Sequence, residues 1–226
     1  LGALLHDVGK IAMPEDMRNA CILDEQASWP EYQYHAQCGY QEVRDHVSPV
    51  AANVVLHHHQ RFDGKGFPAV AKSFKPEPEP LSENRIHVFS RIVAVVDAFD
   101  HLLCPGGKQV PALVAIAQLR SDRFRGWFDP VIVEALLRLV PPFMVGQMVR
   151  LSNGREAVII ANHPESPCRP TVRPISGAIH ESSSRADARP LDLRMSRSLT
   201  IEAVDGVDVR PYLFTGDFEP SSQAAA

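Results

Sequence analysis

The residues of this 226-residue chain best able to do chemistry are histidines and aspartates. His57, His58 and His59 run consecutively into an Asp63-Gly64 turn and close on Gly66-Phe67-Pro68, while His6-Asp7, His35 and Asp97 lie elsewhere. Adjacent helical residues point about 100° apart, so only two of the three consecutive histidines can face one pocket. Val50, Val54 and His58 share a face with Val55 and His59 beside it, which selects His58 and His59 and leaves His57 on the helix surface. Each feature alone has an ordinary reading. A His-Asp pair with Lys10 one turn on is common at a helix C-terminus, where the dipole favours the lysine, and a lone His35 in a helical core is usually a satisfied core residue. Together His6, Asp7, His35, His58, His59 and Asp97 form an imidazole and carboxylate set suited to first-row metals such as iron, manganese or zinc. On four helices and at inward phases, such groups are costly to bury unless paired or coordinated.

The elements that must position these residues can be read from periodicity and caps. Leu1 to Gly9 has the pattern of a helix end with no capping signal before it, which reads as a piece of a longer chain. Ser28-Trp-Pro-Glu31 is a capping box opening a helix to about Asp45, with Trp29, Tyr32, Ala36, Tyr40 and Val43 at core spacing. Ser48-Pro49 caps a helix running to the histidines. A Pro- and Glu-rich loop, KPEPEP, precedes a long helix from about Asn84 to Leu103, in which Ile86, Ser90, Val93, Asp97 and Asp100 share a face. Pro111 to Arg123 forms another helix, and Asp129-Pro130 caps a last one ending near Val140. From Pro141 the pattern changes to short β-like runs, with Asn153-Gly154 a hairpin turn and Leu191 to Phe214 returning further strands. The fold expected is mainly α: a helical bundle over 1–140, then a small β-rich module over 141–218 with a mobile loop near 176–190, and a frayed tail over 219–226.

A net charge of −4 offers no general attraction for a DNA or RNA polymer, so phosphate must be held by local cations or metal ions. No window approaches the roughly 20 apolar residues that span a bilayer. Cys21, Cys38, Cys104 and Cys168 form no C-x-x-C pair, which fits reduced thiols and a cytoplasmic location.

The order HDVGK (6–10), His35, HHxxxDGxGFP (58–68) and RIVAVVDAFDHL (91–102) resembles the HD-GYP domain, a branch of the HD phosphohydrolase superfamily associated with hydrolysis of the bacterial second messenger cyclic di-GMP. The resemblance covers about residues 1–140 and implies an HD-type helical bundle. It maps the family's metal ligands onto His6, Asp7, His35, His58, His59 and Asp97, with Asp7 bridging two ions. It places Lys10 beside the substrate phosphate, where that residue and Asp7 are the expected catalytic groups. It implies two or three divalent ions, iron or manganese, and a product that is linear pGpG or GMP. Arg61, Asp63 and Lys108 join Lys10 as expected substrate-binding residues. The Gly66–Pro68 loop reads either as a plain turn or as a surface for substrate or for a GGDEF-type signalling partner, and a homodimer is a further expectation. The segment GQMVRLSNGREAVIIANHPESPCRPTV resembles a β appendix that follows some members of the family.

The chain departs from the family pattern in three places. The signature usually reads HHExxDGxGYP, whereas Gln60 and Phe67 stand here for Glu and Tyr. After Asp100, a basic T-S-D-R-P-Y-R-like segment is replaced by HLLCPGGKQVP, so its Arg positions fall on Gly106 and Gln109 and Lys108 is the nearby cation. The family also supplies a further His upstream of the HD pair, where this chain has only five residues. The alternatives are a catalytically weak module that binds a protein partner, and an HD phosphohydrolase acting on another nucleotide.

Overall fold

The computed structural model describes residues 1–23, 25–72, 75–175, 189–196 and 198–214. The loop expected near 176–190 falls outside them except for Arg189 and Pro190, and so does the tail expected over 219–226. The chain divides into two compact units: Leu1–Leu102 with Arg120–Val133, and Leu103–Leu119 with the described residues from Glu134 onward.

The first unit is helical. α1 (Gly2–Leu5) stops before His6, and a 3-10 turn resumes at Val8–Ala12, so His6 and Asp7 occupy a break rather than the end of a continuous helix. The turn lies against α2 (Pro30–Val43) at very close range. A Cβ on Gly9 would fall 2.0 Å from the His35 carbonyl oxygen and 2.6 Å from the Gly39 nitrogen, so only glycine permits this contact. α2 starts with Trp29 as its N-cap and Pro30 in its first turn, one residue later than a Ser28 capping box would give. Its buried face is Tyr32, His35, Ala36, Gly39 and Val43, while Trp29, expected in the core, is 45% exposed.

α3 (Pro49–His57) is capped as expected, the Ser48 hydroxyl accepting from the Ala51 amide at 3.3 Å. The Pro- and Glu-rich stretch, expected as a loop, supplies β2 (Lys75–Glu79), which pairs antiparallel with β1 (Val70–Lys72). Its composition hides it, because proline and glutamate are depleted in strands. α4 (Val88–Leu103) buries Ser90, Ala94, Val95, Ala98, Phe99 and Leu102. The apolar stripe therefore leaves Asp97 at its edge and Asp100 exposed. α5 (Ala112–Leu119) stops four residues before the expected end, and α6 (Pro130–Leu139) begins at Asp129, whose carboxylate accepts from the Val131 amide at 2.9 Å and pairs with Arg91.

The second unit is built on a six-stranded antiparallel sheet in the order β6 (Leu191–Asp192), β5 (Thr171–Pro174), β4 (Glu156–Ala161), β3 (Met148–Leu151), β7 (Ile201–Val204) and β8 (Val207–Asp208). Asn153-Gly154 joins β3 to β4 as expected, with Gly154 at φ 79°. Asp205-Gly206, a second two-residue turn that the sequence reading passed over, joins β7 to β8 with both φ positive, at 48° and 82°. Alternating inward residues Val149, Leu151, Ala157, Ile159 and Val172 pack with Leu113 and Val114 of α5. Among the described residues six α-helices hold fewer than half of the positions, so "mainly α" describes the first unit better than the second. Among the described residues no helix is long and apolar enough to cross a membrane, and none of the four cysteines forms a disulfide.

Candidate metal centre

The break between α1 and the 3-10 turn presents His6 and Asp7, α2 presents His35, the C-terminus of α3 presents His58 and His59, and α4 presents Asp97. Three of the imidazoles are oriented by the same local device. The Nδ1 atoms of His6 and His58 donate to the carbonyls of Ala3 and Val55 at 2.7 and 2.8 Å, and that of His35 donates to Tyr32. In each case the acceptor lies three residues earlier. The proton is thereby fixed on Nδ1, and the Nε2 lone pair points into the cluster, the arrangement a metal-ligating histidine requires.

Asp7 lies at the middle of the set. Its Oδ1 is 3.4 Å from His35 Nε2 and 3.6 Å from His58 Nε2, and these two nitrogens are 3.4 Å apart. Its Oδ2 is 3.5 Å from His6 Nε2 and 2.7 Å from Lys10 Nζ, and His6 Nε2 is 3.4 Å from Asp97 Oδ1. One ligating atom from each of Asp7, His35, His58 and His59 lies within 4.8 Å of the others. His35 and His58 are fully buried, whereas the His6 and Asp7 side chains keep 24% and 30% exposure, so the set is closed on one side and open on the other.

The donor set fits a divalent cation. Asp7 Oδ1 and His6 Nε2 are buried with no hydrogen-bond partner. With Nδ1 protonated, lone pairs face lone pairs across the cluster, and a cation between them removes the repulsion and the desolvation cost together. The atoms of His35, His58 and His59 with Asp7 are the group close enough to one another to hold an ion.

The protonation states agree. Burial, reinforced by neighbouring imidazoles, holds His58 below its usual range and His59 well below it, so both stay neutral and able to ligate. Burial alone would raise Asp7, but the neighbouring His35 and His58 rings and the Lys10 ammonium hold it far below the usual carboxylate range. Asp97 is likewise held down against burial by His101 and His6.

His101, which the sequence reading passed over, lies one turn after Asp97, with Nε2 at 3.4 Å from its Oδ1. Bonds to Asp97 and Cys21 raise its pKa to about 10. The i, i+4 spacing from an inward aspartate was the available signal. Tyr32 is a second such residue, its hydroxyl 3.5 Å from His59 Nε2. His57 is outside the cluster as expected, but it is half-buried and donates to Asn53 rather than lying on the surface.

The expected substrate residues are placed unevenly. Lys10 is at the cluster, its ammonium also donating to the Ala20 carbonyl at 3.0 Å. Asp63 accepts from Arg61 Nε at 3.1 Å and from the Lys65 amide at 3.0 Å, so its oxygens are engaged within the turn. Lys108 is an exposed residue of the second unit. The loop's aromatic does not face outward: Phe67 is 8% exposed and packs with Tyr32 and Ala36. A Cβ on Gly66 would meet the His59 carbonyl oxygen at 2.4 Å, which accounts for this glycine. Gln60, in place of the family's Glu, is buried, donates its amide N–H to the Pro68 carbonyl and accepts from the Leu81 amide at 2.8 Å. A carboxylate could make only the second of these bonds.

The family profile of the HD domain matches residues 1–132. The chain belongs to the HD domain family. Its HD domain carries the motif set of the HD-GYP branch, and the relatives agree with that placement. It is 32% identical over 178 residues to a cyclic di-GMP phosphodiesterase of Pseudomonas aeruginosa, covering 76% of this chain and 40% of the relative. It is 33% identical over 145 residues to the cyclic di-GMP phosphodiesterase response regulator RpfG of Xanthomonas campestris pv. campestris, covering 61% and 35%. It is also 29% identical over 139 residues to a 3'3'-cGAMP-specific phosphodiesterase of Vibrio cholerae, covering 59% and 24%. The chain thus spans well under half the length of these relatives.

Proposed function

We propose that this HD domain is a metal-dependent phosphodiesterase that hydrolyses cyclic di-GMP to linear pGpG or on to GMP. The reading is carried by the convergence of His35, His58 and His6 lone pairs on the two oxygens of Asp7, and it is supported by relatives named for that substrate. Bound ions, iron or manganese, supply positive charge opposite the phosphoryl oxygens and an activated water. His35, His58 and His59 with Asp7 would hold one ion, and His6 and Asp97 would supply ligands for a second. Lys10 commits one N–H to Asp7 and one to Ala20, leaving a third for a non-bridging oxygen whose charge grows in the transition state. Asp63 acts by orienting Arg61, which forms a further cationic contact to substrate. The reaction takes place in the cytoplasm, and any partner docking on the loop would meet Lys65 rather than Phe67.

A second reading, hydrolysis of a different cyclic dinucleotide, is favoured by the relative specific for 3'3'-cGAMP. Protein prepared anaerobically with iron or manganese is expected to linearise cyclic di-GMP, followed by chromatography of the products. Turnover of 3'3'-cGAMP alone moves the substrate to the second reading. Metal-loaded protein inert to both overturns the first and the second.

A further inference from the structure

A cavity of about 510 Å³ adjoins the cluster, with His59 common to both, and is within the size range of small-ligand sites. One wall is a planar stack: the Arg61 guanidinium lies 4.0 Å over the centre of the ring of Trp127, a residue outside the quoted family motifs. Both planes are fixed. Arg61 is held by two bonds to Asp63. Trp127 is held by the Phe62 amide donating to its carbonyl at 2.8 Å, by the Asp63 amide donating to Gly126 at 2.9 Å, and by an edge contact to Phe124 at 5.2 Å. Lys65 and Arg123 add two further cations to the lining, and no carboxylate lines the cavity among the described residues. Arg123 is itself steadied by the Leu23 carbonyl at 2.7 Å.

The combination selects a ligand class. Inorganic phosphate would use the cations but not the indole wall or Phe67, and an apolar ligand would leave the cations unused. A nucleobase carrying a phosphate uses both, because any base can stack on an aromatic or guanidinium plane while the cations take its charge. We propose that this cavity receives the nucleotide half of the cyclic dinucleotide that is not being cleaved, with Trp127 as a specificity-determining residue and Arg123 as a phosphate contact. The inference rests on the cyclic dinucleotide reading above and adds to it the residues that hold the second base.

The test compares cyclic di-GMP with bis(p-nitrophenyl) phosphate, a diester without a base, on the metal-loaded protein. Trp127→Ala should lower the ratio of kcat/KM for cyclic di-GMP to that for the base-free diester by about tenfold to a hundredfold, the scale of one lost base stack. Trp127→Phe should recover part of it, and Arg123→Ala should lower the same ratio through KM. Independently of turnover, GMP should saturably quench the Trp127 fluorescence of a Trp29→Phe protein. Unchanged ratios in Trp127→Ala, or in Trp127→Phe and Arg123→Ala together if the alanine variant does not fold, overturn the subsite, as does the absence of quenching. Quenching by GMP in a protein that cleaves the base-free diester but no cyclic dinucleotide keeps the nucleotide subsite and overturns the substrate reading instead.

Discussion

Asp7 lies at the middle of the cluster, its Oδ1 facing His35 and His58 and its Oδ2 facing His6 and Lys10. Removing a lone-pair donor from the closed side should cost metal first and fold second. His58→Ala is expected to reduce bound iron or manganese to background and abolish turnover while most of the helical circular dichroism survives. Retained metal and activity would remove His58 from the ligand set. Gln60 makes a different point. The substitution looked like a loss of charge in the sequence, yet in the fold the amide bridges Pro68 and Leu81, using a donor that glutamate lacks. Gln60→Glu should therefore destabilise the protein by about 1–3 kcal/mol in urea unfolding, the cost of leaving a buried carbonyl facing an acceptor. Residue types and spacing were enough to assemble His6, Asp7, His35, His58, His59 and Asp97. They could not show that Asp63 is occupied by Arg61, because hydrogen-bond partners are a property of the folded turn.

At the scale of elements, local signals with a strong stereochemical basis were readable and those overridden by packing were not. The Ser48 cap, the Asp129 cap and the Asn153-Gly154 turn each rest on a side chain bonding a nearby backbone amide or on a backbone conformation that glycine favours. The start of α2 and the β1–β2 ribbon were not readable, since a capping motif and a strand-poor composition both gave way to the surrounding structure. Gly9 shows how closely elements must approach for the site to exist. Gly9→Ala would drive a methyl into the His35 carbonyl, separating the Asp7–Lys10 turn from α2. The expected result is a loss of about 1–3 kcal/mol, typical of overpacking, together with weaker metal retention on dialysis against a chelator. Normal metal retention in a stable Gly9→Ala protein would contradict this.

For the whole molecule, the cluster ties stability to pH. In the metal-free protein burial holds His57 at about 4 and keeps His58 and His59 below the usual 6.5, so below pH 6.5 the unfolded chain binds more protons than the folded one. That stability is lost as the pH falls from 6.5 toward 4. His101, raised to about 10, has the opposite sign: its contribution is complete below 6.5 and is lost as the pH rises through 10. Urea midpoints measured with chelator present should therefore peak near pH 6.5 and fall on both sides. A midpoint that keeps rising down to pH 5 would show that these histidines are not buried neutral. By itself the sequence determined that helices carrying His and Asp able to ligate a metal come first and short strands follow, because helical and strand periods and the identities of ligating residues are local and survive in one dimension. Only the tertiary structure decided that α5 packs in the core of the sheet, that Phe67 turns inward, that His101 completes the surroundings of Asp97, and that Trp127 stacks on Arg61 beside His59. Each of these is a contact between residues distant in the chain or a choice between two faces of an element, and chain order carries no record of either.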